Sequence, residues 1–212
     1  MNGVRAALAF GLALAAAPAG AQTITFGDTP AGQLPREFET GLTGGGPPPR
    51  WEVVADPTAT DGKALAQLSA DPTDLRFPLA VARAPAPADA EVGTRFKPVS
   101  GKEDQAGGLV VRLQDADNYY VTRANALEDN VRFYRVVKGR RQQLASANIK
   151  VAPGEWHSLT LRAEGNRFTV SFDGKQVLSH ADSTFKAPGK VGLWTKADSV
   201  TRFESLTIKP LR

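Results

Sequence analysis

Residues 107–139, GGLVVRLQDADNYYVTRANALEDNVRFYRVVKG, hold three short apolar or alternating runs separated by Asp/Asn-rich turns. This stretch constrains the fold more than any other, because a period of two places successive side chains on opposite faces of a strand. In Leu109-Val110-Val111-Arg112-Leu113 the odd positions are all apolar, so one face is predicted to meet a core while Arg112 projects from the other. Asn130 to Val137 repeats the pattern, with the odd series inward apart from Arg135, and with Arg132 and Tyr134 outward. Between these runs Tyr119 and Tyr120 put an aromatic on both faces. The expected outer face of this antiparallel sheet is arginine and tyrosine, more than a face needs merely to be wet.

The first 21 residues are expected to be removed before folding. Arg5 is a lone positive charge, Ala6 to Ala17 is a short apolar run, and Ala19-Gly20-Ala21 offers a small-residue cleavage site ahead of Gln22. The run is too short, and its side chains too small, for a permanent membrane span. This predicts an exported protein, periplasmic or extracellular, with residues 22–212 as a single domain. There is no cysteine, so neither a disulfide nor a lipid-bearing thiol follows the signal. The net charge of +4 is modest, and the basic residues form no stripe interleaved with aromatics, which argues against nucleic acid. Their densest cluster, Lys138-Gly139-Arg140-Arg141, reads as a solvated hairpin turn, with contact to an anionic glycan or phosphate-bearing polymer as the minority reading.

Along the chain, Thr23 to Phe26 reads as a strand pairing with the C-terminal strand, and 29–50, with Gly-Gly-Gly-Pro-Pro-Pro at 44–49, as a loop crossing the end of the domain. Strands are then expected at Trp51 to Val54, Lys63 to Ser69, Leu75 to Ala82, Ala90 to Val99, Arg141 to Ala147, Trp156 to Leu161, Phe168 to Phe172, Val177-Leu178, Val191 to Trp194 and Phe203 to Ile208. In the last, Phe203 and Ser205 are predicted on one face, with Glu204, Leu206 and Ile208 on the other. A dozen or so short strands, Gly/Pro/Asp turns and no sustained helical period predict an all-β, two-sheet antiparallel sandwich.

The segments GGLVVRLQD at 107–115, DNYY at 117–120, GEWH at 154–157, DGK at 173–175 and GKVGLW at 189–194 resemble exported bacterial domains with the concanavalin A-like lectin/glucanase jelly roll. Within these they resemble the 3-keto-disaccharide hydrolase-like group, close to laminin-G-like domains. The resemblance implies a sandwich with one concave sheet that holds sugars, and candidate ligand-binding residues Arg112, Arg132, Tyr134, Trp194 and one of Tyr119 and Tyr120. It also implies a hydrolase or lyase of modified disaccharides as an alternative to pure binding.

The residues themselves offer little catalytic chemistry. Glucanases of this superfamily carry Glu-x-Asp-x-Glu on one strand, so that two carboxylates flank a glycosidic bond at about 5.5 Å. This chain has no such triplet. His157 and His180 have no nucleophile-elbow serine or cysteine near them and read as structural or surface histidines. Asp115, Asp117, Asn118 and Asp129 could supply oxygen ligands to calcium, but turns use Asp and Asn for their own hydrogen bonds, and no cofactor is expected. Trp194 either stacks on a sugar ring or covers the rim of the core. Carbohydrate or a cell-wall glycan is the expected partner of a monomer, with no membrane; a protein-interaction module is the third class.

Overall fold

The structure, a computed structural model, describes residues 20–211. The predicted signal segment, apart from Gly20 and Ala21, lies outside the described residues. The strands are β1 (Gln22–Thr25), β2 (Phe38–Thr43), β3 (Trp51–Ala55), β4 (Lys63–Gln67), β5 (Phe77–Ala82), β6 (Ala90–Ser100), β7 (Ala106–Asp115), β8 (Asn118–Asn125), β9 (Asn130–Val137), β10 (Arg140–Asn148), β11 (His157–Glu164), β12 (Arg167–Phe172), β13 (Lys175–Ala181), β14 (Lys190–Trp194), β15 (Val200–Phe203) and β16 (Ser205–Pro210). They form two antiparallel sheets, one ordered β10-β9-β8-β7-β14-β5-β2 and the other β13-β12-β11-β6-β15-β4-β3, with β16 beside β6 and β1 beside β16. The expected sandwich is therefore present, and β1 closes on the C-terminal strand, Ile24 opposite Leu206.

Alternation builds the sandwich. Leu109, Val111, Tyr120, Val131 and Phe133 from the first sheet meet Val92, Phe96, Leu159, Leu161, Phe168, Val170 and Phe203 from the second in one continuous core. Each such side chain taken wholly out of water contributes about 1.5–3 kcal/mol. A second apolar layer, Phe77, Leu79, Val110, Tyr119, Val121, Tyr134, Val136 and Trp194, lies on the outer face of the first sheet.

Three sequence expectations need correction. The stretch 29–50 is not all loop: β2 lies inside it and pairs with β5, Phe38 opposite Ala82. The two Glu residues at 37 and 39 disguise it, yet Phe38 is fully buried in the core. The alternation of the last strand breaks at Glu204, so Phe203 falls on the core side with Leu206 and Ile208 rather than with Ser205. Finally, the alternation of β7 breaks at Arg112. Its φ is +50°, the β7–β8 register shifts between Val111 and Asp115, and Leu113 moves to the outer layer. A bulge of this kind re-aims a side chain across the sheet.

Candidate functional site

The outer face of the first sheet is concave, as strand spacing makes clear. Four strands separate β10 from β5, so at about 4.8 Å per strand their side chains would stand about 24 Å apart on a flat sheet. Yet the Arg141 guanidinium on β10 lies 4.7 Å from the ring centroid of Phe77 on β5, 4.5 Å from that of Tyr134 and 5.8 Å from that of Trp194. The tip of the β7–β8 hairpin also curls across to β2, where the Thr43 hydroxyl donates to the Ala116 carbonyl at 2.5 Å and meets the Tyr119 hydroxyl at 2.7 Å.

Four of the six predicted site residues gather on this face. Trp194 is fully buried as its floor, stacked on Phe77 at 5.3 Å. Gly108 lies under it: a β-carbon there would sit 2.6 Å from the Thr122 carbonyl oxygen and 3.2 Å from the indole. Tyr119 is buried beside it, and burial pushes its phenol up to about 12. Tyr134 is covered by Arg141 and receives a hydrogen bond from Arg123 at 3.2 Å. Arg132 is partly exposed and bridges to Glu128 at 3.0 Å. The aromatic layer is thus a floor beneath the polar groups, not a stack of open platforms.

Arg112 and Tyr120 are elsewhere. Arg112 turns into the gap between the sheets, donating to the carbonyls of Ala88 (2.9 Å), Phe185 (2.9 Å) and Gly165 (2.7 Å) and to Asp89 (3.2 Å), with its guanidinium over Phe168. It clamps the two sheets together, and the expectation that it shares a face with Trp194 fails because of the bulge. Tyr120 packs in the core against Phe168 and donates to Asp182 at 2.5 Å. Burial and the adjoining Asp182 raise its phenol.

Several residues of the face went unread in the sequence. Arg123 is buried, donating to Asn130, to Glu128 at 2.8 Å and to Tyr134. Glu128 is held below the usual carboxylate range: burial opposes its ionisation, but Arg123, Asn130 and Arg132 outweigh it. Asp104 is fully buried against Lys196 and the Asn125 amide (2.6 Å), and burial raises its carboxyl despite the lysine. Arg141 belongs to β10, not to the turn. Lys138 and Gly139 alone make that turn, both with positive φ (50° and 74°), as two-residue hairpin turns require. Counting back from that turn sets Arg141 opposite Val136 and so on the concave face; this was the available signal.

Four buried donors on this face, Arg123 Nε, Arg132 Nε, Arg141 Nη1 and Trp194 Nε1, have no partner among the described residues. Buried polar groups are normally satisfied, so these donors are a departure from the usual pattern. Of the candidate calcium residues, Asp115, Asp117 and Asn118 share one turn, where Asp115 accepts from Asn118 and the Asp117 amide, while Asp129 stands apart and pairs with Lys150. Among the described residues no group of three or more His, Cys, Asp or Glu could hold a metal. His157 is a structural link, between Asp173 at 2.8 Å and the Ala152 carbonyl at 3.0 Å.

Residues 72–209 match the family described as the 3-keto-alpha-glucoside-1,2-lyase-like domain. The chain belongs to that family. The resemblance read from the sequence is thereby borne out. The levanase of Bacillus subtilis (strain 168) is 30% identical over 105 residues, which is 48% of this chain but 15% of the levanase. Among solved structures, the carbohydrate-binding module CBM66 from Bacillus subtilis superposes with a TM-score of 0.62 at 23% identity, covering 82% of this chain and 97% of the module. Domain 4 of AbnA, an extracellular arabinanase from Geobacillus stearothermophilus solved with arabinotriose, gives a TM-score of 0.57 at 13% identity, over 89% of this chain and 90% of that domain. At these identities the family's domain and the two modules share the jelly-roll sandwich.

Proposed function

We propose that this protein is an exported carbohydrate-binding domain that holds its ligand on the concave face of the β10-to-β2 sheet. The observation that carries the reading is the layered face itself. Phe77, Tyr119 and Trp194 make a rigid buried floor, over which Arg132, Arg141, Glu128 and Lys196 present partly exposed hydrogen-bonding groups and unpartnered donors. Sugars are bound by such a mixture of oriented polar groups on an apolar base. The likeness to CBM66 and to the arabinanase domain supports the same reading.

A second reading, a lyase or hydrolase of modified disaccharides, is favoured by family membership. Its chemistry would have to come from carboxylates of this face such as Glu128, Asp104 and Glu39, and each of these is already tied to cations. Binding is the better supported of the two.

The test is a glycan panel probed with the parent chain and with Arg132→Ala, and with Thr160→Ala on the outer face of the opposite sheet as a control. Arg132→Ala should weaken the glycan found by about 1–2 kcal/mol, the range for a contacting polar anchor, and Thr160→Ala should not. A folded Arg132→Ala that binds as tightly as the parent would exclude the concave face. Release of new reducing ends or of a 3-keto sugar fragment would move the assignment to the enzyme.

A further inference from the structure

The concave face carries an unbalanced charge, and the imbalance falls on one residue. Its cations are Arg123, Arg132, Arg141, Lys190 and Lys196; its carboxylates include Glu128, Asp104 and Glu39, the last paired with Lys190. Glu128 serves both Arg123 and Arg132, and Asp104 serves Lys196. Arg141 has neither an ion pair nor a hydrogen bond among the described residues, and its Nη1 is buried. The rings of Tyr134, Phe77 and Trp194 hold the guanidinium in place. Cation–π contact of this kind offsets part of the cost of burial but supplies no counter-charge.

The surroundings extend the imbalance. Arg135, Lys138, Arg140 and Arg141 line an open cavity of about 690 Å³ along the β9–β10 hairpin. Arg135 is paired with Asp182, while Lys138 and Arg140 are exposed and have no carboxylate partner among the described residues. Arg140 pairs with Val137 and so alternates to the face of β10 opposite Arg141, which leaves Lys138, at the hairpin tip, as the free cation beside Arg141 among the described residues.

We propose that the ligand is an acidic glycan, and that Arg141 selects it by receiving the carboxylate of a uronic-acid unit while Lys138, at the hairpin tip, attracts the flanking acidic units. This rests on the concave-face reading above and narrows it. The argument is one of sign. A neutral sugar covering the face would strip the remaining water from a guanidinium that has no counter-ion, and desolvating an unpaired charge costs several kcal/mol. A carboxylate reverses that cost, because it brings the missing charge and a planar pair of acceptors that matches the guanidinium edge. Arg141 is thus a specificity-determining residue. The other cations of the face already have partners.

The experiment compares oligogalacturonate with its fully methyl-esterified counterpart, identical in ring and linkage but neutral, by calorimetric titration of the full chain. Sulfated oligosaccharides form a third arm, and the parent is run beside Arg141→Gln and Arg141→Lys after circular dichroism has shown each to be folded. The parent should bind oligogalacturonate at least tenfold more tightly than the ester, with an affinity that falls as salt is raised. Arg141→Gln should abolish the preference, and Arg141→Lys should keep part of it. Equal or tighter binding of the methyl ester would overturn the inference and leave the concave-face reading standing. Binding of the sulfated sugar alone would overturn the carboxylate assignment. If no glycan of the wider panel binds, the concave-face reading itself falls. The acid-versus-ester comparison needs no variant and decides the acidic-glycan assignment even if Arg141→Gln does not fold; a folded Arg141 variant that keeps the full preference would overturn the role of Arg141.

Discussion

Arg112 and Arg141 are two withdrawn guanidiniums on strands of the same sheet, each over an aromatic ring, and their surroundings could hardly differ more. Arg112 faces the core, spans the two sheets, and donates to three carbonyls and Asp89. Arg141 faces the concavity, lies on three rings, and donates to nothing among the described residues. A buried charge whose every donor has been answered is part of the architecture. A half-buried charge left unanswered is open to a counter-charge from outside the fold. Burial and the partner inventory both separate the two: Arg112 is buried and answered, Arg141 half-buried and unanswered.

The largest effect should come from removing the saturated charge. Arg112→Met keeps the approximate volume of the side chain but leaves the carbonyls of Ala88, Gly165 and Phe185 without their donor. Breaking a buried, hydrogen-bonded charge cluster from one side costs about 3–5 kcal/mol. Urea unfolding followed by circular dichroism should show at least about 3 kcal/mol lost. A loss under about 1 kcal/mol would mean that the clamp across the sheets contributes little.

Asp56 carries the comparison to the opposite sheet as a saturated anion. It is buried, accepts from Thr58 at 2.7 Å, and pairs with Lys97 at 2.6 Å and Arg202 at 2.9 Å. Burial works against its ionisation, but Lys97, Thr58 and Arg202 outweigh it and hold the carboxyl far below the usual range. A carboxyl lowered in the fold contributes stability that is fully present above its unfolded value of about 3.9 and is lost as pH falls toward the folded value. Asp56→Asn should therefore cost about 2 kcal/mol at pH 7. The gap between parent and variant should close as pH is lowered below about 4. If the two stability curves stay parallel down to pH 2, Asp56 is not the group that the acid limb reports.

The same comparison explains what could be read from the sequence. Alternation in β8 and β9 was legible because no bulge interrupts their pairing: Tyr119 against Val136 and Val121 against Tyr134 run in strict register. That was enough for the fold and for the aromatic floor. The misplacements of Arg112 and Phe203 share one physical cause, a local break in period two. One residue in the left-handed region at 112, and the interruption at Glu204, each transfer the following side chains to the other face. Neither break has a glycine to announce it. The site's charge balance was hidden for another reason: Asp104 meets Lys196 from a stretch far away in the chain, and Arg123 meets Glu128 across the β8–β9 hairpin, where period two alone names no ion pair.

The smallest effect on stability is expected where the charge is unanswered. Arg141→Met removes the cation–π contacts with Tyr134, Phe77 and Trp194, worth about 0.5–2 kcal/mol together, but also removes an uncompensated charge whose desolvation costs a comparable amount. Burial already lowers the guanidinium's proton affinity, so the fold works against this charge. The methionine can lie on the same three rings as an apolar cover. The two contributions oppose each other, and the net change in unfolding free energy should stay within about 1 kcal/mol of the parent, in either direction. Measured beside Arg112→Met, by the same substitution and the same urea titration, this is a like-for-like contrast between two arginines. If Arg141→Met loses as much as Arg112→Met, Arg141 is a structural residue and the face has no vacancy for an anion. If it is neutral or stabilising, the guanidinium is retained at no benefit to the fold, and its use has to be sought in what binds over it.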